Sequence, residues 1–187
     1  AMGEAERISI SSDRAQANGF SYAPHTSGDG RFVAFGSDAS NLVEGDTNDH
    51  SDAFVHDRTT GETERVSVSS SGAQLESGSD VSSLSSDGRL VGLTSLSGSL
   101  PEAFVHDRIT GATEAVSQTF DGSEAEYDFF APPGSLVPVL TPDARFVAFR
   151  SSVSNLLVEP VGRLFDVYVR GPDESDLSAD FSGDGDL

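Results

Sequence analysis

Apolar residues along this chain fall in short runs, and nowhere at the three-to-four spacing of an amphipathic helix. Two kinds of run recur. One is apolar at successive positions: Phe32-Val33-Ala34-Phe35, Leu90-Val91-Gly92-Leu93 and Phe146-Val147-Ala148-Phe149. A strand covered on both faces reads that way. The other alternates, as in Glu64-Arg65-Val66-Ser67-Val68, which predicts an outer strand with one wet face. Asp29-Gly30 and Asp87-Gly88 precede the apolar runs and predict two-residue hairpin turns. Thr60-Gly61 marks a further turn, with Gly111 in the same place later on.

These runs belong to a repeat. Asp29-Gly30-Arg31-Phe32-Val33 returns as Asp87-Gly88-Arg89-Leu90-Val91 and as Asp143-Ala144-Arg145-Phe146-Val147, with steps of 58 (87 − 29) and 56 (143 − 87) residues. Ala53-Phe54-Val55-His56-Asp57-Arg58 returns as Ala103-Phe104-Val105-His106-Asp107-Arg108 and, more loosely, as Val167-Tyr168-Val169-Arg170. A period of this size with four short strands per copy is that of a propeller blade. The expected fold is therefore all-β, a β-propeller of four-stranded antiparallel blades, three per chain. They fall at about residues 20–70, 79–118 and 134–171, after a cloning remnant or linker (1–5) and before an acidic flexible tail (172–187).

The ends of the repeat do not match up. Glu6-Arg7-Ile8-Ser9-Ile10-Ser11-Ser12 repeats Glu64 to Ser70 at an offset of 58, an outer strand with no blade of its own, while the third copy runs out near Arg170. Closed propellers have roughly four to eight blades. Two chains would supply six, with residues 6–12 of each completing the last blade of the other about a two-fold axis. The alternatives are a piece of a longer propeller and a compact three-bladed monomer.

The run Asp29 to Phe35, with Ser40-Asn41-Leu42-Val43, Gly45-Asp46-Thr47-Asn48, Phe54-Val55-His56-Asp57-Arg58 and Thr60-Gly61, resembles the TolB-like six-bladed β-propeller repeats of bacterial proteins. The resemblance covers roughly residues 6 to 170 and implies the fold. Its function is not implied, because related propellers serve as docking platforms, as partners of peptidase domains and as lyases. The second copy lacks the Asn-Leu-Val and Gly-Asp-Thr-Asn segments, and the third replaces the acidic loop with Val158-Glu159-Pro160-Val161-Gly162.

Charge and chemistry narrow the partners. The 187 residues carry a formal charge of −20, every one of the eleven basic residues is arginine, and cysteine is absent. Such a surface repels nucleic acid and anionic lipid, and thiol chemistry is ruled out. No apolar window is long enough to span a membrane as a helix. A secreted, periplasmic or cell-surface setting is expected.

Asp46, Asn48 and Asp52 place oxygens at intervals that suit a hard cation, which makes calcium the candidate cofactor; a turn closed on its own backbone explains the same residues. Asp180 to Asp186 resembles the first half of a dockerin or EF-hand calcium loop. His56 and His106 hold equivalent places and read as structural, packed between strands or bonded to a carboxylate. His25, Tyr127 and Phe130 are the candidates for a ligand-binding channel mouth, for a glycan or a protein. No Gly-x-Ser-x-Gly elbow is present, and acid pairs such as Glu124 and Glu126 are too common here to nominate as catalytic. The function expected is a non-catalytic scaffold or binding module whose first partner is itself. A secreted carbohydrate-binding or carbohydrate-active propeller is the alternative.

Overall fold

A computed structural model describes residues 3–97, 100–117, 119, 135–157 and 165–171. Every regular element in it is a strand. Strands β1 (Ser21–Thr26), β2 (Phe32–Ser37), β3 (Asp52–Asp57) and β4 (Thr63–Arg65) form one antiparallel sheet in sequence order. A second four-stranded sheet follows: β5 (Ser79–Leu84), β6 (Leu90–Ser97), β7 (Leu100–Asp107) and β8 (Thr113–Ala115). The third has three strands, β9 (Ser135–Leu140), β10 (Val147–Ser151) and β11 (Asp166–Arg170), with β11 at its edge.

The doubly apolar strands are central because each is covered twice. Ala34, Ala53 and Val55 on one face of the first sheet pack against Val81, Val91 and Leu93 of the second. Ala103 and Val116 of the second meet Val147, Phe149, Val153 and Leu156 around the third. Sheets thus stack face to face as blades. On the far side of the first blade, Phe35 and Phe54 stack at 5.8 Å with Ala39 and Leu42, and Ile8 and Ala17 from the N-terminal ribbon close over them. Phe149 and Tyr168, the same two positions in blade three, repeat the stack at 5.7 Å.

Register confirms the equivalence of the copies. Ser37 faces Asp52, Ser95 faces Glu102 and Ser151 faces Asp166. Each innermost strand also carries an irregularity at one place, between Tyr22 and His25, Val81 and Ser83, and across from Ala148 and Arg150. Backbone bonds then tie blade to blade at their innermost turns: Gly28 N–H donates to the Ser86 carbonyl (2.8 Å), and Ser86 N–H to that of Pro142 (2.9 Å).

The Asp-Gly turns are longer than two residues. Ser27 to Arg31 link β1 to β2, with the Ser27 hydroxyl donating to Asp29 (2.6 Å) and accepting from the Phe32 N–H (2.9 Å). The Asp29 carboxylate also accepts the Arg31 N–H, so the side chains, not strand pairing, shape this turn. Gly30 and Gly88 take a positive φ, at 70° and 73°, and in blade three Ala144 holds the same conformation at 60°. A Cβ in that region costs roughly 1 kcal/mol. Ala144→Gly is therefore expected to raise the unfolding free energy by about 1 kcal/mol in urea melts; an unchanged or lowered midpoint would show that the turn relaxes to suit alanine.

Candidate functional site

The N-terminal ribbon is the first surface with chemistry of its own. It lies against blade one, and several of its contacts have twins 58 residues on along the ribbon, where residues 64–74 lie against blade two. Glu6 pairs with Arg58 (2.7 Å) as Glu64 pairs with Arg108 (2.5 Å). The Thr63 hydroxyl donates to the Ile10 carbonyl (2.6 Å), and that of Thr113 to the Val68 carbonyl (2.6 Å). Thr63 N–H donates to the Ser12 hydroxyl (3.0 Å), and Thr113 N–H to that of Ser70 (2.8 Å). Even the isolated bridges correspond, Ile10 with Gln16 and Val68 with Gln74.

The histidines complete this joint. His56 Nδ1 lies 2.8 Å from the Thr63 hydroxyl oxygen, and His106 Nδ1 lies 2.8 Å from that of Thr113. A hydroxyl has one proton, already given to a carbonyl, so each histidine donates from Nδ1. Both rings are packed between strands, one of the two places the sequence offered, and their partner is a threonine in place of a carboxylate. Burial pushes both imidazoles below the ordinary histidine range, and His25 likewise.

The second surface is the outer side of blade three. The face that β1 to β3 turn to blade two carries Ala53 and Val55, 0% and 1% exposed. Their counterparts on β11, Val167 and Val169, are 77% and 65% exposed, and Val139 beside them is also exposed. Among the described residues no strand pairs with the outer edge of β11.

The acidic loop has a cation supplied from within the chain. Arg65, on β4, stands 3.7 Å from both the Asp46 and Asp52 carboxylates, and its Nη2 donates to the Gly45 carbonyl (3.3 Å). Ser67 donates to Asp52 (2.5 Å), and the Gln74 amide reaches both acids at 3.3 Å. Asn48 donates to the Leu75 carbonyl (2.8 Å) and accepts the His50 N–H (3.0 Å), the turn-forming use of such a side chain. Burial pushes the Asp52 carboxyl up, while Ser67 and Arg65 pull it back. Among the described residues no group of three or more His, Asp or Glu is arranged to hold a metal ion.

His25 sits half-buried on β1 opposite Ala34. Tyr127, Phe130 and the Asp180 to Asp186 loop lie outside the described residues. A cleft of about 530 Å³ opens between blades two and three and is lined by Arg89, Asp107, Asp143, Arg145 and Arg170 among others. Between blades one and two Arg108 lies over the Phe32 ring at 4.3 Å, and the cleft there is about 250 Å³. The next repeat has Leu90 in place of Phe32 and, by sequence, Pro172 in place of Arg108.

No family model and no curated protein matches the chain. Solved structures do resemble it. A putative TolB from Agrobacterium tumefaciens superposes with a TM-score of 0.51 at 17% identity, covering 81% of this chain and 45% of that one. TolB from Acinetobacter baumannii gives 0.47 at 17% identity, covering 84% and 31%. The β-propeller domain of the Trilobed protease from Pyrococcus furiosus gives 0.45 at 14%, covering 73% and 35%. The chain spans less than half the length of each of these chains. At such identities the likeness speaks for the fold alone, a TolB-like β-propeller.

Two measurements check this geometry. Because the unfolded chain takes up protons that buried His56 and His106 refuse, stability is fullest above the ordinary histidine pKa (~6.5) and falls as pH drops through it. Asp57 and Asp107, held well down by Arg31 and Arg89, give way only at far lower pH. Urea midpoints should thus decline between neutral pH and mildly acid pH, less steeply in His56→Gln/His106→Gln; a flat wild-type profile contradicts the assignment. Arg65→Ala should cost about 3 kcal/mol by stranding two buried acids, and calcium should leave the wild-type melting temperature where EDTA leaves it. A calcium-dependent rise of several degrees would mean the loop takes an external cation despite Arg65.

Proposed function

We propose that this chain is a self-assembling propeller module, non-catalytic, in which two copies close a six-bladed ring. Each copy would lend its N-terminal ribbon as the fourth strand of the other's last blade. The observation that carries this is the docking of residues 6–16. They meet blade one through the same ion pair, threonine hydroxyl, serine and bridge by which residues 64–74 meet blade two. The ribbon after β4 is at once the outer edge of blade one and the flank of blade two. The ribbon at residues 6–16 plays the flanking half of that role against blade one.

The last blade is the counterpart. Among the described residues it has three strands, no strand on the outer edge of β11 and a valine-bearing face whose counterparts in blade one are buried. Stacking that face on the ribbon-covered far side of blade one in a second copy would bury these valines, and the arrangement then holds twice about a two-fold axis. Burying each exposed valine contributes roughly 1.5 kcal/mol or more, so the drive to close is apolar and the register is polar.

Light scattering tests this directly. Purified chain is expected at twice its 19.5 kDa mass without added ligand. A mass of one chain at every concentration would overturn the ring and favour a segment of a longer propeller, whose missing strands come from elsewhere in that protein.

A further inference from the structure

Resting on the ring reading above, we propose that the seam is keyed by one polar group: Arg7 and Ser9 of one copy engage the partner subunit's Asp166. The pattern is already present inside blade one. Asp52, at the head of β3, is fully buried and accepts the Ser67 hydroxyl (2.5 Å) beside the Arg65 guanidinium. Ser67 also accepts the Ala53 N–H (3.2 Å), and the Val66 N–H donates to the Ala53 carbonyl (2.8 Å). Arg65-Val66-Ser67 on the outer strand thus reads Asp52-Ala53 on its neighbour, and this reading sets the register.

Asp166-Val167 holds the place of Asp52-Ala53 in blade three, since Ser151 faces Asp166 as Ser37 faces Asp52. Asp166 is exposed, and among the described residues it makes no side-chain hydrogen bond or ion pair. Only two stretches of the chain read Arg, then Ile or Val, then Ser: Arg65-Val66-Ser67 and Arg7-Ile8-Ser9. Counting on from β11, the residues in the places of Arg65, Val66 and Ser67 are Ala179, Asp180 and Phe181, which offer neither the cation nor the hydroxyl. Blade two keeps an acid and a serine, Glu102 and Ser117, in the places of Asp52 and Ser67 but has Ala115 in that of Arg65, and Val116 still donates to Ala103 (2.9 Å).

Arg7 is the complementary orphan. It is exposed, and it forms no ion pair among the described residues although the chain carries 31 acids. Set against the partner subunit's β11, its guanidinium takes the place of that of Arg65 and the Ser9 hydroxyl that of Ser67. The Ile8 N–H then donates to the carbonyl of the partner subunit's Val167. The contact runs in both directions, so two copies make it twice.

Charge reversal makes this testable on the intact chain. Arg7→Asp places two acids at each seam, and Asp166→Arg places two arginines there. Each variant alone is expected at single-chain mass by light scattering, or at least tenfold weaker in dimerisation, with a native circular dichroism spectrum. Mixing the two in equal amounts restores an opposite pair at both seams, and the doubled mass should return. The milder Arg7→Gln and Asp166→Asn should weaken association severalfold, which covers the case of a reversal that fails to fold. If wild type is doubled while the variants associate as tightly, or if the mixture stays at single-chain mass, this key is wrong and the ring stands without it. Wild type at single-chain mass would instead remove the ring itself.

Discussion

Thr63 and Thr113 each have one hydroxyl proton, and where it goes governs how neighbouring blades meet. It goes to a carbonyl of the preceding ribbon, which leaves the oxygen to receive a histidine Nδ1–H and makes three buried polar groups mutually dependent. An apolar stack of Ala, Val and Leu resists separation but tolerates sliding. A buried donor or acceptor left without its partner costs about 1–3 kcal/mol, so the ribbon must arrive in one register. The joint is also directional. A ribbon offers carbonyls and the next blade offers hydroxyls, so any arc of blades has two unlike ends, and unlike ends are what a ring needs.

Much of this arc was legible before any coordinates. The offset of 58 that aligns Glu6 with Glu64 is borne out contact by contact, and the doubly apolar runs are the central strands. The turns were less legible. Asp-Gly suggested a tight hairpin, but the serine two residues before the aspartate closes a longer loop, a signal that repeats as Ser27 and Ser85 and becomes Thr141 in the third copy. The innermost-strand irregularities leave no trace in composition. The acidic loop was legible only in part. Asn48 makes the turn bond that the residues suggest, but the Arg65 guanidinium beside Asp46 and Asp52 comes from β4, which spacing within the loop cannot reveal.

Arginine use follows the same logic. With acids outnumbering cations so heavily, arginines serve as internal ties: Arg31 and Arg89 clamp Asp57 and Asp107, Arg58 and Arg108 hold the ribbons, and Arg65 serves the loop. Most of these are partly exposed pairs, worth little singly in water. Their value is positional: Arg58 and Arg108 join segments that backbone pairing does not, while Arg31, Arg89 and Arg65 fix the ends of strands already paired.

The remaining surface then poses a hazard that its charge partly contains. The outer edge of β11, which no strand covers among the described residues, lies beside exposed valines, and such an edge is a template for indiscriminate pairing. A net charge of −20 opposes the approach of any second acidic copy, so association has to be driven by local complementarity that outweighs a general repulsion. Apolar area alone is available to any partner and cannot discriminate. An arginine and a serine set to meet one aspartate do discriminate, because a chain arriving in the wrong register leaves charges facing nothing while the repulsion remains. In the proposed ring, stickiness and selectivity would thus fall to different residues of the same edge, the first to Val167 and Val169 and the second to Asp166 at its head.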